Sequence, residues 1–212
     1  MKIAILCSSP AHPVNAWLER WIARHAGNHD IALLRRVEEL DGGDILFLIS
    51  CTQLVSRAHR TRFANTLVIH ASDLPRGRGW SPHIWTIVEG GRQIVVSLLE
   101  AEDKVDSGAI WAKLTLDIPP HFLADEINAT LFDAELLLMD RALELYGTHP
   151  GTPQAGDVEP SYYRQRTPED SRLDPDKSIA EQFDLIRVCD PQRFPAFFEL
   201  HGHRYKLTLE KI

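Results

Sequence analysis

The chain has 212 residues, with 30 aspartates and glutamates against 23 lysines and arginines, a net charge of −7 and a pI near 5.8. That acidic balance excludes broad electrostatic binding to nucleic acid or to an anionic membrane, leaving room only for a local basic patch. A hydrophobic fraction of 44% suits one globular domain with a full core, or a domain plus a small appendage.

Taken in order, Lys2–Cys7 is a near-continuous apolar run, the mark of a strand buried on both faces. The run is too short for a signal peptide, and no stretch approaches the ~18 apolar residues that span a membrane. Three scattered cysteines, Cys7, Cys51 and Cys189, form no CxxC pair and suit a reducing compartment. The cytoplasm is the expected location. From Pro13 a helix runs with Trp17, Leu18, Trp21 and Ile22 at helical spacing, a stripe that packs on a sheet. Asp30–Val37 reads as a second strand, Asp41-Gly42-Gly43 as a turn and Asp44–Ile49 as a third strand. Ser56–Phe63 reads as a short basic helix with a solvated face, and Thr66–His70 as a fourth strand.

After His70 comes a polar turn, then Leu74-Pro75 and a glycine-punctuated basic loop, Arg76-Gly77-Arg78-Gly79. Ser81-Pro82 has the chemistry of an N-cap and first-turn proline, and opens a helix to Glu89. Ile94–Glu100 and Ala109–Ile118 read as strands, and their short connection, ending in Asp106-Ser107-Gly108, suits an antiparallel pair. His121–Tyr146 is a long amphipathic helix stopped by Gly147. Ile127, Leu131, Leu138 and Leu145 recur near heptad spacing, so it either covers the sheet, which is the expectation, or carries a homodimer seam. A Gly/Pro-rich connection leads to a tail with a helix near Ser178–Val188 and two strands in Ala196–Glu210 around His201-Gly202-His203. Alternating strands and helices imply an α/β fold: a Rossmann-like, mostly parallel twisted sheet with flanking helices, plus a short C-terminal helix–hairpin tail.

The usual cofactor signatures are missing. There is no GxxxxGK[ST], no GxGxxG after the first strand and no GxSxG. The ten histidines include no HExxH, and His201 and His203 lack a carboxylate or cysteine at ligand spacing, so no metal site is expected. What remains is His70 with Asp106, each just beyond a strand end on an inferred shared edge of the sheet. A carboxylate can orient an imidazole and raise its basicity, which is the minimum for general acid–base work. Taken alone, a strand-end histidine is often just a satisfied core residue, and Asp before Ser-Gly is more often turn chemistry.

The flanking sequence adds to this. IHASDLPRGRGWSPHIWTIVEG, followed by VVSLLEAEDKVDSGAIW, resembles the formyltransferase family that uses N10-formyltetrahydrofolate, whose members act on glycinamide ribonucleotide, methionyl-tRNA or nucleotide-linked amino sugars. The pattern is Asn-x-His-x-Ser-x-Leu-Pro, a basic glycine element, a helix, and later Asp-x-Gly. His70, Ser72, Leu74, Pro75, Arg78, Gly79, Asp106 and Gly108 occupy it in order. In the tail, SYYRQRTPEDSRLDP resembles the Arg-x-x-x-Asp segment that follows the catalytic domain in the sugar and tRNA members. The resemblance implies a catalytic domain over residues 1–146, a linker over 147–160 and a tail over 161–212.

It also implies roles. His70 would polarise the formyl group and shuttle a proton, and Asp106 would orient His70. The pteridine of N10-formyltetrahydrofolate would lie against Ile49, Ser50 and Cys51 and against Glu102, Asp103, Lys104 and Val105. Ser8, Ser9, Arg76, Arg78, Trp80 and Tyr162 would face the acceptor, a small-molecule nucleotide-linked amino-deoxy sugar of surface-glycan synthesis, rather than tRNA. The compact tail, the Trp80/Trp85 environment and the acidic charge favour the sugar members. Val68 departs from the pattern: it stands where the family's asparagine is thought to hold the formyl oxygen. Losing an oxyanion donor typically costs ~2.7–4 kcal/mol. A formyltetrahydrofolate hydrolase, another amine formyltransferase, or a folate- or nucleotide-binding protein that lost catalysis at Val68 are the alternatives.

Overall fold

In the computed structural model, residues 1–148 and 151–212 are described. The strands are β1 (Lys2–Leu6), β2 (Asp30–Leu34), β3 (Gly43–Leu48), β4 (Phe63–His70), β5 (Arg78–Gly79), β6 (Gln93–Glu100), β7 (Ile110–Asp117), β8 (Tyr162–Tyr163), β9 (Ala196–Leu200) and β10 (His203–Leu207). The helices are α1 (Asn15–His25), α2 (Arg57–Arg60), α3 (Pro82–Val88), α4 (Ala124–Leu145) and α5 (Phe183–Arg187). Six strands form the main sheet in the order β2-β1-β3-β4-β6-β7. The first four are parallel, whereas β6 and β7 join as antiparallel neighbours. This is the mostly parallel, Rossmann-like sheet expected from the apolar runs.

The apolar runs fill the core. Ile3, Ile5, Ile45, Phe47 and Leu67 are buried from the parallel strands, and Leu18 and Trp21 from α1. The α4 helix covers the sheet with Ile127, Leu131, Phe132, Leu138 and Met139. Trp17 and Trp21 also tie α1 to α4, donating their indole N–H groups to Asp133 and Asp140 at 2.8 and 2.6 Å. No helix of the described residues is long and apolar enough to cross a membrane.

Several local boundaries differ from the sequence reading, each for a visible reason. β2 stops at Leu34 because Glu39 Oε2 accepts from the Arg35 and Arg36 amides, at 2.9 and 3.1 Å, and pulls the chain into a 3₁₀ turn. Ser81 precedes α3 but makes no side-chain cap, and its φ of 46° is left-handed. A residue before proline is kept out of the right-handed helical region. The tail helix is not 178–188 but the five residues of α5. Upstream, the Gln182 side chain donates to the carbonyls of Asp174, Lys177 and Ser178 and so competes with a helical ladder.

The tail is fastened to the connection between β7 and α4 by Arg187. Its fully buried guanidinium donates to Asp184 at 2.7 Å and to the carbonyls of Pro119 and Phe122 at 3.2 and 3.3 Å. The β9–β10 hairpin closes a separate small core of Leu173, Ile186, Cys189 and Ala196.

One charged residue lies inside the main core. Glu135, on α4, is 7% exposed and its Oε2 has no hydrogen-bond partner among the described residues. Desolvation pushes its carboxyl up from the ordinary 4.5 to about 8. The folded state therefore holds this proton more tightly than the unfolded chain, and stability falls as pH climbs from about 4.5 toward 8. Glu135→Gln should remove that loss. The variant should be more stable than the parent above pH 8, with a ceiling on the order of 4–5 kcal/mol, and gain little near pH 5. Urea melts at the two pH values check this; equal gains at both would show that the carboxyl does not titrate in the fold.

Candidate functional site

β4 ends on His70, which is 8% exposed and lies opposite Ser97 of β6. Side chains alternate along a strand, so Val68 and Thr66 share the His70 face. β6 runs antiparallel to β4 and its last residues point the other way, with Glu100 opposite Leu67. The two strand ends therefore do not share one edge, as the sequence reading inferred. The loop 101–108 instead carries Asp106 back to His70. Asp106 takes φ 52°, and its Oδ2 stands 3.6 Å from His70 Nε2, within ion-pair reach but beyond a hydrogen bond.

The basic loop is held between these two side chains. His70 Nε2 donates to the Gly77 carbonyl at 2.8 Å, and the Gly79 amide donates to Asp106 Oδ2 at 2.9 Å. A carbonyl can only accept, so neutral His70 carries its proton on Nε2 and presents Nδ1 as a base. From the other side the tail clamps the same loop. β5 pairs with β8, the Arg78 amide donates to the Ser161 carbonyl, and the Gly77 amide donates to Ser161 Oγ. Glycine is obligatory at two points here. A Cβ on Gly79 would lie 2.4 Å from the Tyr163 carbonyl, and one on Gly108 would lie 2.0 Å from the Glu100 carbonyl.

Residues that the sequence reading placed with the donor or the acceptor distribute as follows. Ser8 and Cys51 meet: Ser8 Oγ donates to Cys51 Sγ at 3.5 Å and accepts from the Thr52 amide at 3.0 Å. The Ser9 carbonyl accepts from Asn15 at 2.9 Å. Ile49 is buried in the core, and Ser50 turns the chain with φ 46°. Glu102, Asp103, Lys104 and Val105 are exposed, and Asp103 pairs with Arg60. Arg76, Trp80 and Tyr162 are exposed, whereas Arg78 is only 5% exposed. A cavity of about 600 Å³ brings Arg78 together with Glu102, Asp103 and Lys104, walled on its far side by Pro153, Gln154 and Val158. Ser8, Ser9 and 49–51 do not line it.

Two residues of the site left no signal in the sequence. Gln154 sits in the Gly/Pro-rich connection, yet its Nε2 donates to the Asp106 and Gly108 carbonyls at 2.8 and 3.0 Å. It is the brace of the left-handed Asp106 turn. His83 follows Pro82 at the start of α3. Burial, then the neighbouring His70, His12 and Arg166, hold its pKa down to about 4. It is a neutral imidazole with an N–H to offer, electrostatically coupled to His70.

Strand-end histidine, braced aspartate and captured glycine loop on a mostly parallel sheet define an α/β protein whose site pairs an imidazole with a carboxylate. Residues 3–143 match the Formyl transferase family model, and the chain belongs to that family. A methionyl-tRNA formyltransferase from Streptococcus agalactiae is 32% identical over 148 residues, 66% of this chain and 45% of that protein. The chain thus spans under half the length of the curated relatives it matches. HypX from Aquifex aeolicus, solved in complex with tetrahydrofolic acid, superposes with TM-score 0.79 at 23% identity, over 96% of this chain and 36% of that one. A sugar N-formyltransferase from a Shewanella species superposes with TM-score 0.74 at 14% identity, over 100% and 99%.

Gly108→Ala should displace the Asp106 turn, because a methyl cannot fit against the Glu100 backbone. A loss of about 1–3 kcal/mol in stability is expected from such overpacking. Denaturant melts measure it; an unchanged midpoint would mean that the turn relaxes freely.

Proposed function

We propose that this chain transfers the formyl group of N10-formyltetrahydrofolate to the amine of a nucleotide-linked amino-deoxy sugar. The observation that carries the transfer chemistry is the His70–Asp106 pair, 3.6 Å apart and fixed by the backbone of one glycine loop. Membership of the formyl transferase family supports the donor, and the tetrahydrofolic acid bound by the HypX neighbour agrees with it. The net charge of −7 favours a small acceptor over tRNA, whose backbone rewards a basic surface. The sugar N-formyltransferase neighbour, covered end to end by the same fold, points the same way.

In this reading the neutral acceptor amine attacks the formyl carbon. His70, through Nδ1, takes a proton from the amine and becomes an imidazolium. Asp106 stabilises that charge across 3.6 Å without a direct hydrogen bond. The tetrahedral intermediate then collapses, the bond from carbon to N10 breaks, and the proton passes to N10 of tetrahydrofolate. In the same reading Ser8 and Ser9 after β1 face the acceptor, and Ile49, Ser50 and Cys51 after β3 face the pteridine.

Valine at 68 offers the formyl oxygen no side-chain donor. We assign that role to His83 at the start of α3: burial first, then the neighbouring His70, keeps it neutral, so it does not repel the imidazolium that forms. Its imidazole N–H would donate to the developing oxyanion in place of the amide. The homodimer option, the 1–146/147–160/161–212 division and the glycan pathway belong to the same proposal.

The protein should release tetrahydrofolate from N10-formyltetrahydrofolate when given one of a panel of UDP-, GDP- or dTDP-amino sugars. His70→Ala should lower kcat by roughly 10²–10⁴; full activity in that variant would end the assignment. Release with water alone would make the enzyme a hydrolase.

His83→Phe should lower kcat by roughly 10²–10³, the usual cost of one oxyanion donor, with little change in KM. Adding Val68→Asn to that variant should restore part of the rate. A His83→Phe enzyme as fast as the parent would remove His83 from the oxyanion role.

A further inference from the structure

The aspartate of the reacting pair rides on a turn that the sheet holds only at its ends. There the Ala101 amide donates to the Thr66 carbonyl at 2.8 Å and the Glu100 amide to the Ala109 carbonyl at 2.9 Å. Between these ties Asp106 takes φ 52°, a left-handed conformation that is costly for a residue with a Cβ. The side chain of Gln154 holds the turn in that shape. Its Nε2 donates to the Asp106 carbonyl at 2.8 Å and to the Gly108 carbonyl at 3.0 Å. A primary amide has two N–H donors, so both are spent here.

The amide is also locked in one orientation. Gln154 Oε1 accepts from Arg78 Nη2 at 2.6 Å. A guanidinium can only donate and a carbonyl can only accept. Turned over, the amide would set N–H against N–H and its oxygen against two carbonyls. Arg78 is 5% exposed and belongs to the glycine loop, whose Gly79 amide donates to Asp106 Oδ2 at 2.9 Å. One loop therefore holds the Asp106 carboxylate directly and, through Arg78 and Gln154, its backbone. The segment that delivers Gln154 is anchored as well. Thr152 exchanges hydrogen bonds with Ile110 at the start of β7, at 2.7 and 2.8 Å. Gly151 packs so closely that a Cβ there would lie 2.8 Å from the Ala109 methyl.

We propose that Gln154 is a positioning residue of the formyl-transfer reaction, acting through Asp106, with the buried Arg78 guanidinium as the lock on its amide. The inference rests on the acid–base role of the His70–Asp106 pair. Those two side chains stand 3.6 Å apart, so their cooperation depends on where the turn places the carboxylate. Misplacing a reacting group by about 1 Å costs on the order of 10²-fold in rate. Gln154 acts on the backbone of Asp106 and not on the reacting atoms. Its loss slows the chemical step and leaves the binding of donor and acceptor in place.

The test uses two variants of the whole chain. Gln154→Met keeps the length of the side chain and removes all three hydrogen bonds. Gln154→Glu keeps the Arg78 contact, now as an ion pair, and removes both N–H donors, so it stays folded while losing the brace. In both, kcat should fall about 10–100-fold, with KM for donor and acceptor within about twofold of the parent. Parental kcat in Gln154→Glu overturns the proposal, and so does a raised KM at unchanged kcat. A second measurement needs no turnover, so it decides the inference even where formyl transfer to every acceptor fails. Amide hydrogen exchange is followed by NMR at Gly79, whose amide donates to Asp106 Oδ2. It should quicken about threefold to tenfold in both variants, while the amides of β3 keep their parental rates. Unchanged exchange at Gly79 overturns the proposal. A quickening shared by β3 also overturns it, because the variant then loosens the whole fold rather than releasing Asp106.

Discussion

The site depends on the capture of three backbone units, Gly77 to Gly79, between side chains on one side and a strand on the other. His70 donates to the Gly77 carbonyl and Asp106 accepts from the Gly79 amide. On the opposite side β8 supplies the ladder partners of Arg78 and Gly79. Each hydrogen bond is worth only about 0.5–1.5 kcal/mol net. Together, however, they fix the two side chains to a common backbone reference. The histidine ends β4 and the aspartate sits in the loop after β6, which runs antiparallel to β4, so nothing in the sheet itself sets their separation. The glycine loop does.

That capture explains why the loop needs small residues and a basic one. Gly79 must let the Tyr163 carbonyl approach to a distance no Cβ tolerates, and Gly108 does the same for Glu100. Between the glycines, Arg78 turns its side chain away from the His70–Asp106 pair and into the cavity. There it reaches Gln154 and Tyr162, which belong to the connection and the tail. The loop is therefore a junction. Its backbone orders the acid–base pair, and its side chain ties that order to the segment after α4.

The parts legible in the sequence were those with a local signature. Apolar runs located β1, β3 and β4, and the last of these put His70 at a strand end because the run stops there. Asp106-Ser107-Gly108 read as a turn because its chemistry is contained in three residues. Long-range pairing left no such trace. Tyr162-Tyr163 form a strand only because Arg78-Gly79 lie beside them, 84 residues away in sequence. Gln154 looks like any polar linker residue until its amide is seen against the Asp106 carbonyl. His83 carried no pattern, since its importance lies in a neighbour that the chain brings up from another element. The direction of β6 was readable from the short connection to β7 only as a pairing, and its orientation against β4 was not.

The same geometry bears on what valine at position 68 costs. The β4 face that presents His70 also presents Val68 and Thr66, and the Thr66 hydroxyl is turned to the Arg60 carbonyl at 3.4 Å. The strand therefore has no free polar side chain to aim at an oxyanion. Asn15 is no substitute either, since its amide donates to three carbonyls in the β1–α1 connection and its oxygen accepts from Arg35. Apart from His70, polar side chains near this face come from outside the strand, and α3 begins where the glycine loop ends. A loop fixed at Gly77 and Gly79 fixes the start of that helix, and with it the histidine in its first turn. The backbone capture that holds His70 and Asp106 thus lies directly before the turn that carries His83.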